Sequence, residues 1–191
     1  ETCWSMIPSN TVYPGYKNYK QLQFGWENGD QWTPAECDVS IRPGWFYHET
    51  EDSKVKTVDQ LCDLYYRSVG HNATFLLNFP VNKDGLIHPI DSANAVNFHK
   101  KIQQELSNNV LKGITPKTDS QQGKNIGKNM TDGKYDTFWA SKTIKGASIE
   151  FRLGKTQEIS RLMLQEYIPL GQRVKAFTVY YLQDKNWVKL N

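Results

Sequence analysis

Cysteine is scarce in this sequence: Cys3, Cys37 and Cys62 are the whole complement of 191 residues. The number is odd, and no CxxC or Cys/His spacing suits zinc, so neither a disulfide framework nor a zinc module is expected. Long hydrophobic runs are missing too; no stretch approaches the ~18 apolar residues that a membrane span needs. The opening residues Glu1-Thr2-Cys3-Trp4 carry neither a charged start nor an apolar stretch, so no targeting signal is read there. His71, His88 and His99 lack a ligand partner at metal spacing, and neither metal nor cofactor is expected. In the basic half, 112–191, lysines are spread singly, with no run of five or more, which argues against a nucleic-acid partner.

Hydrophobic residues make up 38% of the chain and charged residues 23%, the balance of a folded chain with enough apolar side chains for a core. The net charge of +3 conceals two halves. Residues 1–111 hold nine basic against thirteen acidic residues, whereas 112–191 hold fourteen against seven. Tryptophan is front-weighted: Trp4, Trp26, Trp32 and Trp45 are four of the six. Such clustering on loop-like sequence fits an exposed aromatic surface for a sugar, or ordinary packing.

From Glu36 to Arg42 the text alternates, with Glu36, Asp38, Ser40 and Arg42 on one side of an extended chain and Cys37, Val39 and Ile41 on the other. Pro34 and Pro43-Gly44 bound it, predicting a strand of about seven residues whose polar face is either a wet edge or one wall of a pocket. Thr57-Val58-Asp59-Gln60 reads as a capping box, and Val58, Leu61, Cys62, Tyr65 and Val69 keep helical spacing until Gly70. The apolar run from Ala73 to Pro80 predicts a strand buried on both faces. A second helix is predicted from about Ser92 to Asn108. Beyond Gly113 the text turns polar and then offers short strand-like pieces at 148–153, 159–165, 176–182 and 187–190, which suggest a β-sandwich. The expected domains are therefore 1–111 and 112–191.

Four segments carry a family resemblance. Trp32-Thr-Pro-Ala-Glu-Cys-Asp-Val-Ser-Ile-Arg-Pro-Gly-Trp-Phe-Tyr-His48 and Gly70-His-Asn-Ala-Thr-Phe-Leu-Leu-Asn-Phe-Pro-Val-Asn-Lys-Asp-Gly-Leu-Ile-His-Pro89 closely resemble the late part of the catalytic barrel in the α-L-fucosidases of glycoside hydrolase family 29. The likeness is greatest to the branch acting on α-1,3 and α-1,4 linkages. Met130-Thr-Asp-Gly-Lys-Tyr-Asp-Thr-Phe-Trp-Ala-Ser141 and Leu170-Gly-Gln-Arg173 resemble a discoidin-like, galactose-binding-type β-sandwich. The fold implied is α/β plus all-β: part of a (β/α)8-type barrel, then a partial antiparallel sandwich.

The resemblance implies retaining hydrolysis by two carboxylates, one attacking the anomeric carbon and one protonating the leaving oxygen. It assigns Trp45, with Phe46 as the alternative, to an apolar wall for the methyl group of fucose. Arg42 and Glu36 are expected to bond sugar hydroxyls, and His48 is a further candidate for that role. Glu36 is also a candidate acid/base, or a structural ion-pair partner of Arg42. The family's nucleophile Asp sits in a Trp-Phe-Asp-Gly-like segment that this sequence lacks, and its acid/base Glu lies just ahead of a segment resembling Glu1-Thr-Cys-Trp-Ser5. The expected partners are a fucosylated oligosaccharide or glycoconjugate and an N-terminal part of the same polypeptide, without which the chain is expected to be inactive. The family's substrates imply a periplasmic or extracellular setting. Two function classes stay open, part of a glycosidase and a non-catalytic carbohydrate-binding unit.

Asn72-Ala-Thr74 and Asn129-Met-Thr131 match the glycosylation pattern. Asp132, Asp136 and Trp139 fit either a loop-end sugar or cation site, or a turn and a core anchor.

Overall fold

A computed structural model describes residues 5–22 and 24–190. The chain divides into two compact units, Glu1–Ser107 and Asn108–Asn191. Among the described residues no helix is long and apolar enough to cross a membrane.

In the first unit a short antiparallel pair, β1 (Met6–Ile7) with β2 (Gln31–Trp32), brackets a single helical turn, α1 (Tyr19–Leu22). The main body follows as β3 (Glu36–Ser40), α2 (Val58–Ser68), β4 (Thr74–Asn78) and α3 (Pro89–Glu105). β3 and β4 pair in parallel, Glu36 opposite Thr74 and Ser40 opposite Asn78. A parallel pair needs a crossover connection, and α2 supplies it.

The alternation of β3 is visible in its burial: Glu36 and Asp38 are exposed while Cys37 and Val39 are half-buried. The strand is five residues long, because at Ile41 the chain leaves the ladder and turns through Pro43-Gly44. β4 is not buried on both faces. Phe75 and Leu77 are half-buried, but Thr74 is exposed and Leu76 is 50% exposed. One face of the sheet therefore packs and the other is open. Its packed side continues into a core of Ile41, Val55 and Leu61, against which Leu64, Leu77, Phe79 and Phe98 lie.

α2 opens with the expected capping box. The Thr57 side chain accepts from the Gln60 backbone N–H at 3.3 Å, and the Gln60 side chain accepts from the Thr57 N–H at 2.9 Å. Two otherwise orphaned donors are satisfied this way. A 3-10 turn, Val69–His71, ends the segment, and the left-handed residue is Asn72 (φ 65°) rather than Gly70. Asparagine tolerates that conformation better than most residues with a side chain. α3 begins three residues before its predicted start. Pro89 occupies the first turn, where its missing N–H costs nothing, and the His88 imidazole Nδ1 accepts from the Ile90 N–H at 3.4 Å.

Among the described residues the second unit has two small ladders. β5 (Lys117–Thr118) pairs antiparallel with β6 (Ile149–Glu150), and β7 (Tyr180–Gln183) pairs antiparallel with β8 (Asn186–Lys189). The β7–β8 hairpin closes through Asp184 and Lys185, both at positive φ (48° and 67°), as a two-residue turn of the primed type requires. The predicted strand at 159–165 does not form. Its apolar residues find no ladder partner among the described residues, and Met163 is 80% exposed.

A polar network fixes the loops of this unit. Asp132 Oδ1 accepts from the Lys134 N–H at 2.9 Å and Oδ2 from the Thr137 hydroxyl at 2.8 Å. The Trp139 indole donates to the Ser120 carbonyl at 3.0 Å, while Asp136 is exposed. Asn129 turns its amide inward, donating to the carbonyls of Lys124 and Phe138. The Thr131 hydroxyl donates to the Ile114 carbonyl at 2.6 Å. This geometry gives Asp132 a turn-closing role and Trp139 an anchoring one.

The two bonds that Asp132 accepts, the Lys134 N–H first, hold its carboxyl below the usual carboxylate range. A depressed folded-state value stabilises the fold above the unfolded value and loses that effect as pH falls through the folded one. Asp132→Asn is therefore expected to lower the melting temperature at neutral pH, with the gap from the parent closing in acid. A gap that stays constant to about pH 2 would contradict this role for the charge.

Candidate functional site

Side chains with chemistry gather beyond the C-terminal ends of β3 and β4, where the chain leaves Ser40 for the loop to α2 and leaves Asn78 for Pro80. In parallel α/β folds this edge carries the ligand sites, because the loops that follow the strands converge there.

Arg42 organises the loop. Its side chain is fully buried, and its Nε and NH2 donate to the two oxygens of Asp91 at 2.8 and 2.9 Å. NH1 donates to Asp52 Oδ1 at 2.8 Å and to the His48 carbonyl at 3.3 Å. The Tyr47 ring covers the guanidinium, 4.6 Å from ring centre to the cation carbon. Hydrogen bonding to Asp91 raises the Arg42 pKa against the opposing effect of burial. The Tyr47 hydroxyl is pushed up in turn, first by desolvation and then by Asp52.

Arg42, expected beside a sugar hydroxyl, stands in this structure as a buried clamp. Its donors are engaged inside the protein, and a buried cation left without these carboxylates would be costly. The ion pair to Glu36 does not form either; Asp91 and Asp52 take that place.

Trp45 and Phe46 project from the same loop, 47% and 76% exposed. Asn78 holds the loop from the neighbouring strand. Its Nδ2 donates to the Trp45 carbonyl at 2.9 Å and to the Ser40 hydroxyl at 3.2 Å, and its backbone carbonyl accepts from the Ile41 N–H at 3.0 Å. A carbonyl can only accept, so the amide nitrogen must face Trp45. The His48 side chain is exposed at this edge.

Glu36 stands apart. It occupies the first position of β3, about 13 Å of strand from Ser40 at ~3.3 Å per residue, and so lies at the opposite edge from Trp45. The structure thus brings together Trp45, Phe46, His48 and, beneath them, Arg42, but not Glu36. Among the described residues no group of three or more His, Cys, Asp or Glu is placed to hold a metal ion.

Three residues of this edge escaped the sequence reading: Asp52, Asn78 and Asp91. Asp91 had a local signal, an acidic residue in the first turn of a helix behind a proline. Asn78 was hidden in an apolar run that reads as strand.

The chain resembles known proteins along nearly its full length. It is 35% identical over 181 residues to alpha-L-fucosidase 1 of Arabidopsis thaliana, covering 92% of this chain and 35% of that protein. A solved Bacteroides thetaiotaomicron structure, provisionally named an alpha-L-fucosidase, is 42% identical with a TM-score of 0.92, over 98% of this chain and 42% of that one. A Ruminococcus gnavus GH29 fucosidase solved with fucose is 30% identical with a TM-score of 0.82, over 99% of this chain and 39% of that one. Residues 114–191 match the F5/8 type C domain. The chain therefore spans well under half the length of these relatives.

The buried ion pair is open to direct test. Asp91→Ala leaves the Arg42 cation half-paired and is expected to cost about 3–5 kcal/mol in denaturant unfolding. Arg42→Lys should also destabilise, since an ammonium cannot bridge both oxygens of Asp91 in the same way. Losses under about 1 kcal/mol in both variants would contradict the clamp.

Proposed function

We propose, from its likeness to α-L-fucosidases of glycoside hydrolase family 29 and its match to the F5/8 type C domain, that the chain works as part of an exo-acting α-L-fucosidase. In this reading β3, α2, β4 and α3 are the closing strands and helices of a (β/α)8-type barrel, and the second unit is part of a discoidin-like sandwich. The substrate is a terminal α-1,3- or α-1,4-linked L-fucose on a glycan, met in the periplasm or outside the cell.

One observation carries the reading: an exposed tryptophan held by the neighbouring strand at the C-terminal edge of a parallel βαβ unit. Fucose is a 6-deoxy sugar, and its methyl group gains from an apolar wall. Trp45 offers that wall, with Phe46 beside it. His48, exposed on the same loop, is placed to bond a hydroxyl.

The bond-breaking carboxylates lie elsewhere. A retaining mechanism needs two of them ~5–5.5 Å apart across the anomeric carbon. Glu36, at the far edge of the sheet, is a poor acid/base on position alone, and Asp52 and Asp91 are committed to Arg42. The reading assigns nucleophile and acid/base to barrel strands of the same polypeptide outside this chain, and leaves Glu36 the lesser role of a polar side chain in the barrel interior.

In the full polypeptide, Trp45→Ala is expected to lower kcat/KM on an aryl α-L-fucoside about ten-fold or more, the range set by losing one methyl contact in an apolar pocket. Steady-state kinetics checks this. Unchanged kinetics would remove Trp45 from the sugar site, and binding of fucosylated glycan with no bond cleavage would favour a purely carbohydrate-binding unit.

A further inference from the structure

We propose that Asn78 is a specificity-determining positioning residue, whose side-chain amide sets how closely the Trp45 wall approaches the deoxy carbon of the sugar. The inference rests on the reading of Trp45 as a wall for fucose and extends it to a residue that touches no substrate. Arg42 folds the loop from within, but its contacts run to the backbone at His48 and to Asp52, on the far side of Trp45 and Phe46 in sequence. Among the described residues, the polar tie from the Trp45 carbonyl to the sheet is the Asn78 amide.

That amide is itself oriented. Ser40 is its register partner across the parallel ladder, and the buried Ser40 hydroxyl accepts the second Asn78 bond while taking a bond from the Arg42 N–H at 3.3 Å. Strand end, loop start and aromatic wall are thus joined through one side chain. A donor removed here would let Trp45 move relative to β4 with Arg42, Asp91 and the core unchanged. Specificity for a methyl group depends on contact over a short range, so a small displacement of the indole weakens methyl recognition in preference to the bonds that hold the hydroxyls.

The readout is the ratio of kcat/KM for an aryl fucoside to that for the aryl pentopyranoside that lacks only the C6 methyl, measured on the full polypeptide. Trp45→Ala is expected to lower this ratio about ten-fold, and Asn78→Asp, which swaps the donor for an acceptor of nearly equal size, several-fold in the same direction. Should Asn78→Asp fold too poorly to assay, Ser40→Ala removes the group that orients the amide and is expected to lower the ratio in the same sense. A ratio lowered by Trp45→Ala but untouched by Asn78→Asp, or by Ser40→Ala in its place, overturns the positioning role and leaves the sugar-site reading standing. A ratio untouched by Trp45→Ala overturns that reading, and this inference with it.

Discussion

A buried guanidinium is the constraint on which the first unit turns. An arginine with a fully buried side chain must be met by carboxylates of suitable geometry, and those available come from two distant points of the chain, Asp52 in the loop and Asp91 in the first turn of α3. Meeting both at once makes the loop after β3 curl around the cation, with Tyr47 laid over it and the His48 carbonyl drawn inward. The residues between, Trp45 and Phe46, are left facing outward. Exposed aromatics at the strand ends thus follow from an internal charge requirement.

The same constraint ties α3 to the sheet. Asp91 lies in the first helical turn, where a negative charge also suits the helix dipole, and His88 caps that turn from one residue before Pro89. The second Asp52 oxygen lies 3.6 Å from His88 Nε2, so helix cap and arginine clamp meet at one carboxylate. Lys56 adds a further tie, donating to the Ser40 carbonyl at 2.6 Å from the start of α2.

Local rules in the sequence were sound where the structure is local. The capping box at Thr57, the helix behind it and the alternation of Glu36 to Val39 all depend on neighbours a few residues apart, and all stand in the fold. What the sequence leaves unread depends on partners far along the chain. Alternation places Arg42 on the polar face but says nothing of Asp91, which lies 49 residues on. It likewise gives Glu36 its face but not its distance from Trp45, which comes from chain direction: Glu36 is the first residue of the strand and Trp45 lies in the loop beyond its last. In the second unit the segment 159–165 has strand-like composition, yet a strand exists only with a partner to complete its ladder. Asn78 was legible as strand and illegible as a tether, since its meaning comes from the carbonyl across from it.

The most direct test of the account is a crystal structure of the full polypeptide with L-fucose bound. The C6 methyl is expected within about 4 Å of the Trp45 indole, van der Waals range, with Arg42 still on Asp91 behind it. A sugar seated elsewhere, or a methyl packed on another side chain while Trp45 faces solvent, would contradict it.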